Sequence, residues 1–183
     1  MSENEFLYTE KDDKFHDECG VVGVYLTTDA SKAETSDESQ MNAATMCYYG
    51  LYSLQHRGQD SAGICVSDGN DVKIHKQMGL VSDVFKVEHL QELQGNLSIG
   101  HVRYATSGSK TIENAQPMLS QSKLGPIAVA HNGQLVNYVQ LREMFEETGA
   151  DFSSSSDTEV IVKLIALRSE EHTSELQSPC NLV

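Results

Sequence analysis

Tryptophan, long apolar runs and an excess of basic residues are all missing from this 183-residue sequence. Its four cysteines are scattered and form no CxxC pair, so neither a disulfide framework nor a zinc site is expected. Lys and Arg together number 13 against 27 Asp and Glu. The resulting net charge of −14 argues against a surface that binds nucleic acid.

The lack of long apolar segments also bears on where the chain acts. No run approaches the length of a transmembrane helix, and the first residues lack the basic flank and apolar core of a signal peptide. We therefore predict a cytoplasmic protein with no membrane partner. The hydrophobic content of 39 % is typical of a soluble globular domain with a sizeable core.

The two ends of the chain differ in composition from the middle. Residues 1–18 are acidic and polar without a sustained period, which is typical of a segment that does not fold alone. Residues 168–183 (RSEEHTSELQSPCNLV) match the translation of a sequencing adapter interrupted by a short index. We expect this tail to be an artefact and the natural sequence to be cut off near Leu167, although Arg168 fits either origin. The alternative is a genuine polar C-terminus.

Between these ends, strand-like and helix-like segments follow one another without strict β-α-β alternation. Short apolar runs predict strands in CGVVGVYL, SAGICVSD, VKIHKQM, LSIGHVRYAT and PIAVAHNGQLVN. Helical periodicity predicts helices over Met41–Gln55, in YVQLREMFEETG and in SSSSDTEVIVKLIAL, where Ser156-x-x-Glu159 reads as a capping box. Strands gathered into hairpins favour an α+β fold with antiparallel sheets and helices on their faces.

Cys19 stands at the head of the first predicted strand. A free cysteine is most often a small buried core residue. If the bond before Cys19 is cut, however, the new α-amino group has a pKa near ~7.7–8.0 and lies beside the thiol, where it can act as its base. Cys47, on a helical stripe, and Cys65, in a strand, are predicted to be core residues.

Four polar, glycine-bearing loops close the apolar elements: HRGQDSAG (56–63), GHVRYATSG (100–108), HNGQLVN (131–137) and SDTE (156–159). Taken singly they have ordinary explanations, because Arg103 suits a surface ion pair, Asn132-Gly133 a hairpin turn and Asp157 a helix cap. Together they offer a guanidinium for a carboxylate, a carboxylate for an ammonium, amide donors for an oxyanion, and a thiol. That set predicts a site for an amino-acid zwitterion.

The same stretches resemble a known family. CGVVGVY, GLYSLQHRGQDSAGI, GHVRYATSG, NAQPML, AHNGQLVN and SSDTEV match, in this order, the class II glutamine amidotransferase domain, an N-terminal-nucleophile hydrolase. More narrowly, residues 19–167 resemble the first domain of the amidotransferases that form 5-phosphoribosylamine in the first step of purine synthesis. The resemblance implies a four-layer αββα sandwich with two antiparallel sheets. It also implies that residues 1–18 are a propeptide removed on maturation.

The resemblance assigns the chemistry to three residues. Cys19 would attack the glutamine side-chain amide, release ammonia and leave a thioester that water hydrolyses. The Asn132 side chain and the Gly133 N–H would form the oxyanion hole. The rival interpretation is a Cys–His protease, since the same loops carry His56, His101 and His131. The matched motifs assign none of these histidines as a base.

The resemblance also assigns substrate binding to five other residues. Arg103 would bind the α-carboxylate of glutamine and Asp157 its α-amino group, with Thr106 in support. Arg57 and Gly58 would close and order the pocket beside the nucleophile.

The resemblance further implies partners outside residues 19–167. A phosphoribosyltransferase domain would bind phosphoribosyl pyrophosphate with Mg²⁺, and some relatives with propeptides carry an iron–sulfur cluster. We expect no metal or cofactor in this part of the chain, and a homo-oligomer at full length. Two alternatives stay open: another class II amidotransferase, of the glucosamine-6-phosphate synthase type, and a non-catalytic glutamine-binding module that keeps its leader.

Overall fold

The computed structural model describes residues 19–27, 42–104 and 110–177, with side chains as far as Ser169. The predicted propeptide at residues 1–18, Thr106 and the last residues of the chain lie outside these ranges. None of the described helices combines the length and the apolar character needed to cross a bilayer.

A four-stranded antiparallel sheet makes up the larger part of the described fold. Its strands are β1 (Gly20–Tyr25), β2 (Ser61–Ser67), β3 (Val72–Met78) and β4 (Leu97–Arg103), in the order β1-β4-β2-β3. The predicted β2–β3 hairpin is confirmed. Strand β1 pairs antiparallel with β4, and Gly20 lies opposite Val102. This register brings Cys19, just before β1, to the end of β4.

Helix α1 (Ala43–Ser53) covers one face of this sheet. It begins at Asn42, whose side-chain oxygen accepts the N–H of Thr45 at 2.8 Å. A short 3₁₀ turn (Gln55–Arg57) follows the helix. The buried side chains of helix α1 pack against alternate residues of β2, because every second residue of a strand points to the same face. The shared core includes Ala44, Cys47, Leu51, Ala62, Ile64 and Val66. Cys47 and Cys65 are both buried, as predicted.

Two short helices that the sequence did not predict lie between β3 and β4. They are α2 (Val81–Val84) and α3 (Val87–Glu92). Each is too short to show a helical repeat of apolar residues. Val84, Phe85 and Leu93 nevertheless complete the core beside α1.

A second, two-stranded sheet and two longer helices form the rest of the described chain. Strands β5 (Met118–Ser122) and β6 (Gly125–Val129) pair antiparallel, and α4 (Tyr138–Glu147) and α5 (Asp157–Gln177) follow. Lys76 of β3 reaches Met118 of β5, so the two sheets face each other, while α5 packs on β5 and β6. Helix, sheet, sheet and helix are therefore layered as predicted. Helix α5 continues past Leu167, and the domain boundary placed there stays a prediction.

The capping box predicted at Ser156-x-x-Glu159 is wrong. The Glu159 carboxylate accepts the N–H and O–H groups of both Ser153 and Ser154, at 2.6–3.1 Å, because the preceding loop folds back over the first turn of α5. Burial acts to raise the pKa of Glu159, but the hydrogen bonds from Ser154 and Ser153 outweigh it, so the pKa lies below its usual value. Glu159 thus anchors the loop that leads into Asp157.

Candidate active site

An open cavity of about 420 Å³ lies where β1 and β4 end and the loops of the second sheet meet them. This is the size of a small-molecule site. It is lined by Cys19, Arg103, Tyr104, Asn114, Gln116, His131, Asn132, Gly133, Gln134, Tyr138, Ser155, Ser156 and Asp157. Five residues that the sequence predicted as catalytic or substrate-binding therefore share one cavity, although they are up to 138 positions apart.

Cys19 is held at both its backbone and its sulfur. Its N–H donates to the carbonyl of Arg57 at 2.9 Å, and its own carbonyl accepts the Nε–H of Arg57 at 2.8 Å. The Sγ atom accepts the N–H of Tyr104 at 3.4 Å and lies 3.7 Å from that residue's carbonyl oxygen. The thiol is half-buried and faces the cavity. With φ at 61°, Cys19 adopts the left-handed backbone conformation that residues other than glycine rarely take.

Arg57 and Gly58 lie behind Cys19, and neither is among the described residues that line the cavity. The two hydrogen bonds described above hold the backbone of Cys19 in place against Arg57. Gly58 packs directly on β4, where a Cβ atom would lie 2.6 Å from the carbonyl carbon of Val102. The structure thus places this pair beside Cys19, and their predicted role in closing and ordering the pocket stays a prediction.

The Asn132-Gly133 pair lies on the loop after β6. The Asn132 side-chain amide donates to the Cys19 carbonyl at 3.4 Å, so this donor lies next to Cys19. Gly133 has a φ of 149°, and a Cβ there would lie 2.9 Å from Nε2 of His131. Glycine is therefore required at this position. No strand follows before α4, so the alternative of a simple hairpin turn is wrong.

Asp157 is the first residue of α5 and joins that helix to the Asn132 loop. Its Oδ2 accepts the N–H of Leu135 at 2.7 Å. A carboxylate is stabilised at a helix N-terminus by the helix dipole. Arg103 lines the same cavity with the opposite charge. The two side chains thus provide the complementary charges that an amino-acid zwitterion needs.

The histidines do not support a Cys–His pair. His101 is fully buried and His56 is exposed, and neither is among the described residues that line the cavity. Burial lowers the pKa of His101 to about 4, the charges of Arg103 and His131 act in the same direction, and the nearby His131 backbone opposes them. Among the described residues, neither ring nitrogen of His101 has a hydrogen-bond partner of normal geometry. His131 lines the cavity, but the sulfur contacts above are made to the Tyr104 backbone.

His101 should make the protein less stable in mild acid. The unfolded chain binds a proton near pH ~6.5 and the native chain only near pH 4, so stability present above pH ~6.5 is lost as the pH falls. We expect up to ~1.4 kcal/mol of lost stability per pH unit from this residue. Urea unfolding of wild type and His101→Gln between about pH 7 and pH 5 measures it. Equal pH slopes in the two proteins would contradict the assignment.

Sequence reasoning gave no role to Asn114 and Gln116, although both line the cavity. They belong to the NAQPML motif, and both are buried. The only signal in the sequence was the motif itself. Among the described residues, no group of three or more His, Cys, Asp or Glu side chains could hold a metal ion. Mg²⁺ and an iron–sulfur cluster stay predictions for a further domain.

Comparison with known proteins decides the family. The sequence profile of a glutamine amidotransferase domain matches residues 88–178. This chain carries a glutamine amidotransferase domain. The amidophosphoribosyltransferase of Methanothermobacter thermautotrophicus is 47 % identical over 162 residues, which make up 88 % of this chain and 32 % of that protein. Its counterpart from Methanocaldococcus jannaschii is 48 % identical over 147 residues, or 80 % and 29 % of the two chains.

A solved structure supports the same assignment. The glutamine phosphoribosylpyrophosphate amidotransferase of B. subtilis, in complex with ADP and GMP, superposes with a TM-score of 0.66 at 38 % identity. The match covers 85 % of this chain and 32 % of that one. The amidotransferase domain therefore has the N-terminal-nucleophile hydrolase fold, and the resemblance found in the sequence is confirmed. The chain spans about a third of the length of the relatives it matches.

Proposed function

We propose that this chain is the glutamine-hydrolysing part of an amidophosphoribosyltransferase and that it releases ammonia from glutamine. One observation carries the proposal: a thiol, two amide donors and two opposite charges line a single cavity. The names of the relatives support the same activity. Phosphoribosyl pyrophosphate would be bound by a further domain. Mg²⁺, an iron–sulfur cluster, a homo-oligomer and a cytoplasmic location stay predictions.

The reaction begins at Cys19, once the bond between Glu18 and Cys19 has been cut. The free α-amino group takes the thiol proton, and the sulfur attacks the side-chain carbonyl carbon of glutamine. An S–C bond forms, and negative charge develops on the oxygen, which Asn132 and Gly133 stabilise with hydrogen bonds. The C–N bond then breaks, and the ammonium group returns its proton to the departing nitrogen as ammonia leaves. Water hydrolyses the thioester to glutamate and restores the thiol.

Processing and turnover test this function together. The full chain should yield a mature form whose N-terminal sequence begins Cys-Gly-Val-Val and that releases equal amounts of ammonia and glutamate from glutamine. Intact mass identifies the species present. A chain that binds glutamine but keeps residues 1–18 would support the non-catalytic module. An active preparation that begins at Met1 would overturn the role of the Cys19 amine.

Glutamine recognition should depend on the shape of the Arg103 side chain as well as its charge. Arg103→Lys keeps the charge but loses the planar fork that binds a carboxylate through two parallel hydrogen bonds. We expect the KM for glutamine to rise by about tenfold, with a smaller change in kcat. Steady-state kinetics measure both constants, and the rate of Cys19 alkylation by iodoacetamide without glutamine serves as the control. An unchanged KM would place the substrate carboxylate elsewhere.

A further inference from the structure

The four residues Asn114, Ala115, Gln116 and Pro117, here called the NAQP bridge, lie between the two loops that complete the cavity. We propose that the bridge holds these loops in register, with Gln116 positioning the Asn132-Gly133 donors and Asn114 positioning Asp157. The roles of those three residues rest on the proposed function. The bridge itself rests on hydrogen bonds that are independent of any substrate.

Gln116 holds the start of the loop that contains Asn132. Its side-chain oxygen accepts the N–H of His131 at 2.7 Å. His131 immediately precedes Asn132, so this bond fixes the peptide from which both amide donors continue. Gln116 is 7 % exposed, so water competes little for the bond.

Asn114 holds the other loop in the same way. Its side-chain oxygen accepts the N–H and the hydroxyl of Ser155 at 3.0 and 3.2 Å, and its amide lies 3.1 Å from the same hydroxyl oxygen. Asn114 is 2 % exposed. Ser155 stands two residues before Asp157, so Asn114, together with Glu159, holds the segment that leads into helix α5.

The larger sheet supports the bridge from below. The Lys76 ammonium group on β3 donates to the carbonyls of Ala115 and Pro117, on either side of Gln116. On β2, a Cβ at Gly63 would lie 2.1 Å from the Gln116 carbonyl oxygen, so the bridge rests directly on the strand backbone. A bridge fastened to two paired strands is a rigid support for the loops it holds.

The two halves of the bridge should affect different kinetic constants. Donors to the oxyanion act where charge develops in the transition state, so misplacing them lowers kcat. A carboxylate that binds the substrate ammonium acts already in the ground state, so misplacing it raises KM. A merely structural role would lower stability without separating the two constants.

Gln116→Met tests the first half, because methionine has a similar volume and its thioether is at most a weak acceptor for the His131 N–H. In the full chain we expect kcat for glutamine hydrolysis to fall ~10–100-fold, the cost of misaligned catalytic groups, with KM changed less than ~3-fold. The matched control Gln116→Glu keeps an acceptor oxygen for the His131 N–H and should retain more kcat than Gln116→Met. Equal losses in both variants would overturn the role of this bond.

Asn114→Leu tests the second half, with Asn114→Asp as the variant that keeps the acceptor. We expect KM to rise about tenfold in the leucine variant with kcat nearly unchanged. Glutamine should also lose its protection of Cys19 against iodoacetamide, whereas Gln116→Met should keep it. The same shift of both constants in Gln116→Met and Asn114→Leu, or no shift in either variant, would contradict the division of roles.

Hydrogen exchange separates failure of the bridge from failure of the proposed function, since it requires no turnover. Gln116→Met should speed exchange in the 131–137 peptide, Asn114→Leu in the 153–157 peptide, and Lys76→Met in both. If wild type releases no ammonia but these patterns appear, the bridge stands and the proposed function fails. If wild type is active but exchange in Lys76→Met matches wild type, the bridge is wrong.

Discussion

Replacing Cys19 by alanine is expected to reduce glutamine hydrolysis by ~10³-fold or more, because no other described thiol can take over the attack. Burial raises the pKa of Cys47 to about 12 and that of Cys65 to about 11, so both remain protonated at neutral pH. A protonated, buried thiol is a poor nucleophile. Ammonia release measured at saturating glutamine tests the prediction.

Cys47→Ser is the matched control for this experiment. It places a hydroxyl in the core under α1 and should cost ~1–3 kcal/mol of unfolding free energy while kcat stays within ~2-fold of wild type. Iodoacetamide should modify only one of the three described thiols in the native protein, and peptide mapping should locate it at Cys19. Full activity in Cys19→Ala would contradict the proposed nucleophile.

Gly58→Ala is expected to reduce activity by about 10²-fold and to destabilise the protein by ~1–3 kcal/mol. The new Cβ would lie 2.6–2.8 Å from backbone atoms of Val102 and Arg103, which belong to the central strand and cannot move aside. The loop must therefore shift, and with it the Arg57 carbonyl that holds the Cys19 nitrogen. Activity and thermal unfolding of the same preparation measure the two effects.

Gly23→Ala is the control for that substitution. Gly23 lies in β1, four residues beyond Cys19, and a Cβ there would meet no atom within 4 Å. Alanine at this position should be neutral or slightly stabilising, since it restricts the unfolded chain more than glycine does. Comparable losses in both variants would show that the close approach of Gly58 to β4 is not the cause.

The sequence predicted most of the elements that have a clear period. β1, the β2–β3 hairpin and α4 each show a pattern of apolar residues long enough to identify, and their bounds agree with the structure within a few residues. β5 was missed because its sequence, MLSQS, spans only five residues, three of which are polar. Helix α2 spans one turn, too little for any repeat.

For the site, side chains could be predicted more readily than the contacts that position them. Five of the predicted site residues lie in recognisable sequence motifs, and the fold brings them to one cavity: Cys19, Arg103, Asn132, Gly133 and Asp157. The hydrogen bond from the Cys19 N–H to Arg57 is accepted by a backbone carbonyl, which every residue type possesses, so no sequence pattern marks it. The bond between Gln116 and His131 joins positions 15 apart in the chain, across two strands, and has no characteristic spacing.

The left-handed backbone at Cys19 would favour the proposed cleavage of the preceding bond thermodynamically. A residue other than glycine in this backbone conformation carries a strain of roughly 1 kcal/mol. Once the preceding peptide bond is cut, no carbonyl carbon is attached to the Cys19 nitrogen and this backbone strain is relieved, while the hydrogen bonds between Cys19 and Arg57 can still hold the residue in place. Hydrolysis is then favoured about fivefold more than at an unstrained site. The active-site cavity would thus favour the mature N-terminus over the uncut chain before any substrate has bound.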